Sequence, residues 1–107
     1  MAGMDKVFDA LAHPTRRRIL ELLKRGGMTA GEIADAFDVS KPTMSGHFAR
    51  LRDAGLIQGE SRGTSTLYTL NLSALEEVMM AFMGRLKVGA DADDDVDGDT
   101  GEQGKTT

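Results

Sequence analysis

Ser40, Lys41, Pro42, Thr43, Ser45 and Gly46 open one short amphipathic stretch, and of all the residues in this chain they are best suited to act on another molecule. A lysine reaches guanine O6 and N7 or a phosphate, and serine hydroxyls donate or accept. A glycine lets backbone approach base edges closely. Met44, Phe48 and Leu51 repeat at i, i+4 and i+7 in the same stretch and turn inward. That leaves the polar set and Ala49 outward, with Arg50 at the flank. The free N–H groups at the start of such a helix suit a phosphate. Arg62 and Thr64 flank Gly63 further on, in a short basic tip able to touch a phosphate backbone beside a groove. His47 has two readings, phosphate contact or partly buried packing, and the second carries more weight. This set of residues is what a protein needs to set a helix end into the major groove of duplex DNA.

The elements that must position these residues follow from periodicity. Met4, Val7, Phe8 and Leu11 share one face of a first helix over 4–11. Pro14 suits the first turn of a second helix, to about Arg25, with Ile19, Leu20, Leu22 and Leu23 inward and Gly26 and Gly27 as its stop. Thr29 and Glu32 form a capping-box pattern that opens a third helix carrying Ile33, Ala34 and Phe37. A turn at Asp38–Val39 follows, and Ser40 caps a fourth helix ending near Ala54. Residues 56–62 and 65–70 then alternate with a period near two around Gly63–Thr64, which reads as a β-hairpin. Ser73 and Glu76 repeat the capping-box spacing before a last helix to Leu86. A hairpin directly behind the second helix of a helix-turn-helix makes a winged helix. The expected fold is therefore mainly α with a small β-hairpin, in the order α-α-α-α-β-β-α.

Composition narrows the chemistry. The chain has 107 residues, one domain's worth, and no cysteine, which removes disulfides, thiolate metal sites and cysteine nucleophiles. No apolar run approaches the ~18 residues of a membrane span, and the first residues lack a signal-peptide core, so a cytoplasmic location without membrane insertion is expected. The net charge is −4, yet residues 1–86 carry eleven Lys and Arg against ten Asp and Glu, and residues 87–107 carry two against seven. The acidity belongs to the tail, which has too few apolar residues to offset its ordering entropy and is expected to be disordered. Two readings of Asp91 to Asp99 stand beside each other: a solubilising tail, or a segment that folds back on the basic groove face. No nucleophile has a base nearby and no phosphate loop follows a strand, so no enzyme activity is expected.

The last helix carries a wide apolar stripe of Leu75, Val78, Met79, Phe82, Met83 and Leu86. With Met4, Val7, Phe8 and Leu11 of the first helix it reads as a homodimer interface, in preference to internal packing or a small-molecule pocket. His13 precedes Pro14 and reads as a cap or surface residue. Arg16, Arg17 and Arg18 form a basic run at a helix start, where the dipole disfavours cations. The favoured reading pairs Arg16 with a carboxylate such as Glu21 or Asp53 and leaves its neighbours solvated.

Residues 40–56, SKPTMSGHFARLRDAGL, resemble the recognition-helix signature of ArsR-type winged helix-turn-helix repressors, and residues 10–20, ALAHPTRRRIL, resemble the opening of the same family. Residues 28–34, MTAGEIA, are similar to its metal-independent autorepressor branch. The resemblance spans about Met4 to Leu86, with residues 4–86 as DNA-binding and dimerisation domain and 87–107 as tail. It implies a homodimer, paired through its first and last helices, that represses its own promoter from a near-palindromic operator. Gly46 stands where the family has a histidine and Lys41 where glutamine is common, so the operator sequence does not carry over. The family's metal sites need cysteines near Ile33 to Ala36, or histidines with acidic partners on the last helix; neither is present, so no metal or other cofactor is expected. Release by an effector protein or by an organic ligand remains open. A winged-helix interaction module without DNA binding would need an apolar patch beside Lys41 and Ser45, and the sequence offers none.

Overall fold

The computed structural model describes residues 2–87, and the acidic tail expected over 87–107 lies, Lys87 apart, outside them. The described residues divide into two units between Glu76 and Glu77. The first contains α1 (Ala2–Leu11), α2 (Pro14–Leu23), β1 (Met28–Thr29), α3 (Ala30–Asp35), α4 (Lys41–Asp53), β2 (Ile57–Arg62), β3 (Ser65–Leu70) and the opening of α5 (Leu72–Leu86). The remainder of α5 belongs to the second.

Each element starts where the local chemistry favours it. His13 is the N-cap of α2, its Nδ1 accepting from Thr15 N at 3.1 Å, and Pro14 follows in the first turn. Thr29 and Glu32 form the full capping box: Thr29 N donates to Glu32 Oε1 at 2.9 Å and Glu32 N to Thr29 Oγ1 at 3.2 Å. Such a cap is worth about 1 kcal/mol, a sizeable fraction of what holds a six-residue helix. Ser40 caps α4 through Thr43 N at 3.3 Å.

Three details differ from expectation. α2 ends at Leu23 rather than near Arg25. Residues 28–29, where no strand was expected, form one, so the hairpin becomes a three-stranded antiparallel sheet ordered β1-β3-β2, with Met28 opposite Tyr68 and Thr29 opposite Leu67. Gly27 eases this: a Cβ there would lie 3.1 Å from Thr69 Cγ2 and 3.3 Å from Tyr68 O, so a larger residue would require β3 to give by a few tenths of an ångström. Finally, Asn71 and not Ser73 caps α5, its Oδ1 accepting from Ala74 N at 3.3 Å while its Nδ2 donates to Gly55 O at 3.1 Å. One amide thus both starts the helix and pins it to the turn after α4, which the Ser73–Glu76 spacing cannot do.

The core of the first unit is built from Val7, Ile19, Ile33, Met44, Leu51, Leu56 and Ile57, none more than 2 % exposed, with one side chain or more from α1, α2, α3, α4 and β2. α1 packs on both α2 and α4. Met4 and Val7 are therefore spent inside the protomer at 6 % and 1 % exposure, and they leave the set of dimer-interface candidates. Phe8 and Leu11 are only half-buried.

In the second unit α5 buries no side chain completely. Val78 and Met79 are half-buried, while Met80, Phe82, Met83 and Leu86 are 74 %, 38 %, 54 % and 60 % exposed. No helix among the described residues is long and apolar enough to cross a membrane.

Candidate nucleic-acid interface

Helix α4 divides cleanly into two faces. Met44, Phe48 and Leu51 are buried, as the i, i+4, i+7 spacing requires, and Phe48 packs against Tyr68 with ring centroids 4.7 Å apart. Ser40, Lys41, Pro42, Thr43, Ser45 and Gly46 are all exposed. Ser40 Oγ donates to Thr43 Oγ1 at 2.9 Å, which orders both hydroxyls at the mouth of the helix. No carboxylate of the described residues is ion-paired with Lys41. A Cβ on Gly46 would meet nothing within 4 Å.

An apolar cleft of about 210 Å³ opens beside this face, between Ala30, Gly31 and Ala34 of α3 and Lys41, Met44, Ser45 and Phe48 of α4. Spacing along the sequence gives no apolar patch beside Lys41 and Ser45. The cleft lies where the small residues at the start of α3 face α4, a juxtaposition that periodicity within either helix does not reveal.

The wing tip is a tight turn in which Gly63 takes φ 65°, a left-handed conformation that favours glycine, and Ser65 Oγ donates to Arg62 O at 3.2 Å. Arg62 and Thr64 are exposed. Arg62 is loosely paired with Glu60 at 3.4 Å, both side chains more than half exposed, a pairing that a phosphate can outcompete.

Two of the candidate residues have partners within the fold. His47 is 7 % exposed, turned away from the polar face toward α2, and cannot reach a phosphate from there. Its Nδ1 lies 3.2 Å from Arg16 Nη1, and its ring sits at a tilt 4.6 Å from that of His13. Burial above all, then the charges of His13 and Arg16, hold its pKa below the ordinary 6.5. Arg50 is exposed but ion-paired to Asp9 of α1 at 2.7 Å. Such a surface pair is worth at most about 1 kcal/mol, so Arg50 can be exchanged onto a phosphate.

The arginine run has a role in the fold. Among the described residues Arg16 pairs with no carboxylate; its Nε donates to Ala10 O at 2.8 Å and its Nη2 to Asp9 O at 3.1 Å. Arg17 Nη1 donates to Leu11 O at 2.6 Å, and the Arg18 guanidinium stands 5.1 Å over the Phe37 ring. Arg16 and Arg17 thus cap the carbonyl end of α1, whose last turn has no basic residue of its own. That missing cation, with only Ala12 and His13 before the next helix, is the signal that could have found this role.

An exposed polar helix start with a wing behind it invites comparison with known proteins. Residues 11–60 match a family model described as a helix-turn-helix domain. The chain is 46 % identical over 74 residues to the transcriptional repressor SdpR of Bacillus subtilis, covering 69 % of this chain and 82 % of that protein. The chain belongs to the ArsR-type family of winged helix-turn-helix transcriptional repressors. It is also 36 % identical over 88 residues to the HTH-type transcriptional regulator Rv2034 of Mycobacterium tuberculosis, covering 79 % of this chain and 82 % of that one. Among solved structures, the ArsR family transcriptional regulator RHA00566 superposes with a TM-score of 0.74 at 29 % identity, over 79 % of this chain and 87 % of that one. The homodimeric winged helix-turn-helix DNA-binding domain Mb0332 of Mycobacterium bovis gives 0.65 at 25 % identity, over 77 % of each chain. The fold expected from the sequence is the fold of this ArsR-type family, with the short β1 added to the hairpin.

Proposed function

We propose that this ArsR-type protein works as a homodimeric repressor whose two α4 helices enter successive major grooves of a near-palindromic operator, about 34 Å apart. Lys41, Ser45 and Gly46 meet base edges. Pro42 fixes the first turn of α4, and Ser40, Thr43, Arg50, Arg62 and Thr64 hold the sugar-phosphate backbone. The observation that carries this reading is the exposed Lys-Ser-Gly face of α4 followed directly by a glycine-tipped wing bearing Arg62.

Dimerisation rests on the exposed apolar side chains of α5, with Phe8 and Leu11 of α1 as further candidates; the homodimeric Mb0332 domain supports it. Residues 4–86 act as the DNA-binding and dimerisation domain, and 87–107 as a solubilising acidic tail. The protein is cytoplasmic, catalyses nothing and senses no transition metal. Among the described residues no three His, Cys, Asp or Glu side chains converge, and the similarity to SdpR supports the metal-independent, autoregulatory branch. Footprinting the protein on DNA upstream of its own coding region, with and without chelator, tests operator binding, autoregulation and metal independence together. Protection at a near-palindrome, unchanged by chelator, is expected; absence of protection would refute autoregulation.

Two substitutions separate positioning from reading. Arg62→Ala should weaken binding to all duplexes alike and flatten the salt dependence by about one unit of log–log slope. An unchanged slope removes the wing from the contact. Lys41→Ala should relax preference at one base position by about 1–3 kcal/mol in a panel of operator variants. Uniform loss across the panel would make Lys41 a phosphate contact instead.

A further inference from the structure

We propose that Arg16 is a positioning residue for DNA recognition: a guanidinium fork that ties the carbonyl end of α1 to α4 through His47 and releases α4 when that imidazole takes a proton. The inference rests on the reading of α4 as the DNA-contacting helix. Its geometry is independent of that reading. One edge of the Arg16 fork is committed to α1, through Ala10 O at 2.8 Å and Asp9 O at 3.1 Å. The remaining Nη1 faces His47 Nδ1 at 3.2 Å. A guanidinium has donors only, so His47 Nδ1 must be the acceptor and its proton must sit on Nε2. A second proton on that ring would set N–H against N–H and cation against cation in a site that is 7 % exposed.

The groups around this contact do not relieve that clash. From α2 come Arg16 itself and the tilted ring of His13, whose Nδ1 is occupied by Thr15 N. From α1 comes Asp9, whose carboxylate is already bound to Arg50 of α4 at 2.7 Å while its carbonyl accepts from Arg16. β2, also packed on α4, carries Glu60 and Arg62, but these are exposed and paired with each other. The direction of the His47 pKa agrees with the geometry. The folded-state pKa is lowered, so the stability tied to a neutral His47 is fully present above the unfolded value near 6.5. It is lost as pH falls through the lower folded value. Asp9 thus receives two arms from the α2–α4 side, one through its backbone and one through its side chain. α1, which presents the half-buried Phe8 and Leu11, is thereby coupled to the orientation of α4.

The sign of the effect on DNA is distinctive. Acidification makes a protein more cationic, which by itself strengthens binding to phosphate. Release of α4 acts the other way. Operator titrations of the full chain between pH 7.5 and 5.5, with competitor DNA and with circular dichroism at each pH, test the proposal. The wild type should lose about tenfold in operator affinity on acidification while remaining folded. His47→Asn, whose Oδ1 replaces the Nδ1 acceptor without titrating, should lose none. Arg16→Lys keeps the charge but loses the fork and should already bind about tenfold more weakly at pH 7.5. A His47→Asn profile that falls in parallel with the wild type would overturn the proposal, as would undiminished binding by folded Arg16→Lys. If Arg16→Lys does not fold, the His47→Asn comparison decides. Failure of the wild type to prefer its operator at pH 7.5 would instead strike the DNA reading itself, and this inference with it.

Discussion

Gly46→Glu should abolish operator binding, by more than about 100-fold, in a protein at least as stable as the parent. Glycine in the interior of a helix costs about 1 kcal/mol relative to alanine, and nothing within the fold calls for one at this position. A Cβ on Gly46 would touch no atom within 4 Å, and the residue is not among those with positive φ. Under the proposed function, close approach of duplex DNA to the outer face of α4 accounts for it. A glutamate there adds bulk and a negative charge where phosphates and base edges must come. Gly46→Ala is the control. It should raise stability by about 0.5–1 kcal/mol in chemical denaturation and weaken operator binding less than glutamate does. Wild-type affinity in Gly46→Glu would take this face of α4 off the DNA.

The second large effect is expected at the other end of the chain. Met83 is 54 % exposed on α5, between Phe82 at 38 % and Leu86 at 60 %. A charge at an exposed position costs a lone protomer little, whereas in the middle of an apolar dimer seam it is left desolvated and unpaired. Met83→Glu should therefore convert the proposed dimer to monomer in sedimentation at micromolar concentration. Operator affinity should fall by about 100-fold or more, because two linked half-sites gain that much from simultaneous engagement. Helix content should be unchanged. A dimer that survives the substitution would move the seam away from this face of α5.

Both variants touch parts of the molecule that could be read from residue spacing. Helix α4 was legible because Ser40, Met44, Phe48 and Leu51 mark its cap and inner face within one turn-by-turn pattern, and the outward set follows by subtraction. The wing was legible because Gly63 interrupts a period-two alternation. Thr29 and Glu32 name their own helix start. All of these depend on residues within a few positions of each other, whose geometry a helix or hairpin dictates.

Contacts between distant segments decided the rest. Val7 looked like any other apolar residue of a terminal helix until α2 and α4 closed over α1. Arg16 looked in need of a carboxylate, but it found the carbonyls of α1 and, 31 residues away, an imidazole. His47, read more as a packing residue than as a phosphate contact, became a buried acceptor through the same packing. β1 formed because β3 lay beside it, on a register that no two-residue segment can specify. By itself, then, the sequence determined the helix-turn-helix, its wing and the polar face of α4, because helical and strand periods are local and repeat along the chain. Only the tertiary structure decided which polar groups were consumed inside the fold and which remained for a partner. Hydrogen-bond partners for buried groups are chosen by whatever packing brings within about 3 Å, and spacing along the chain carries no record of that.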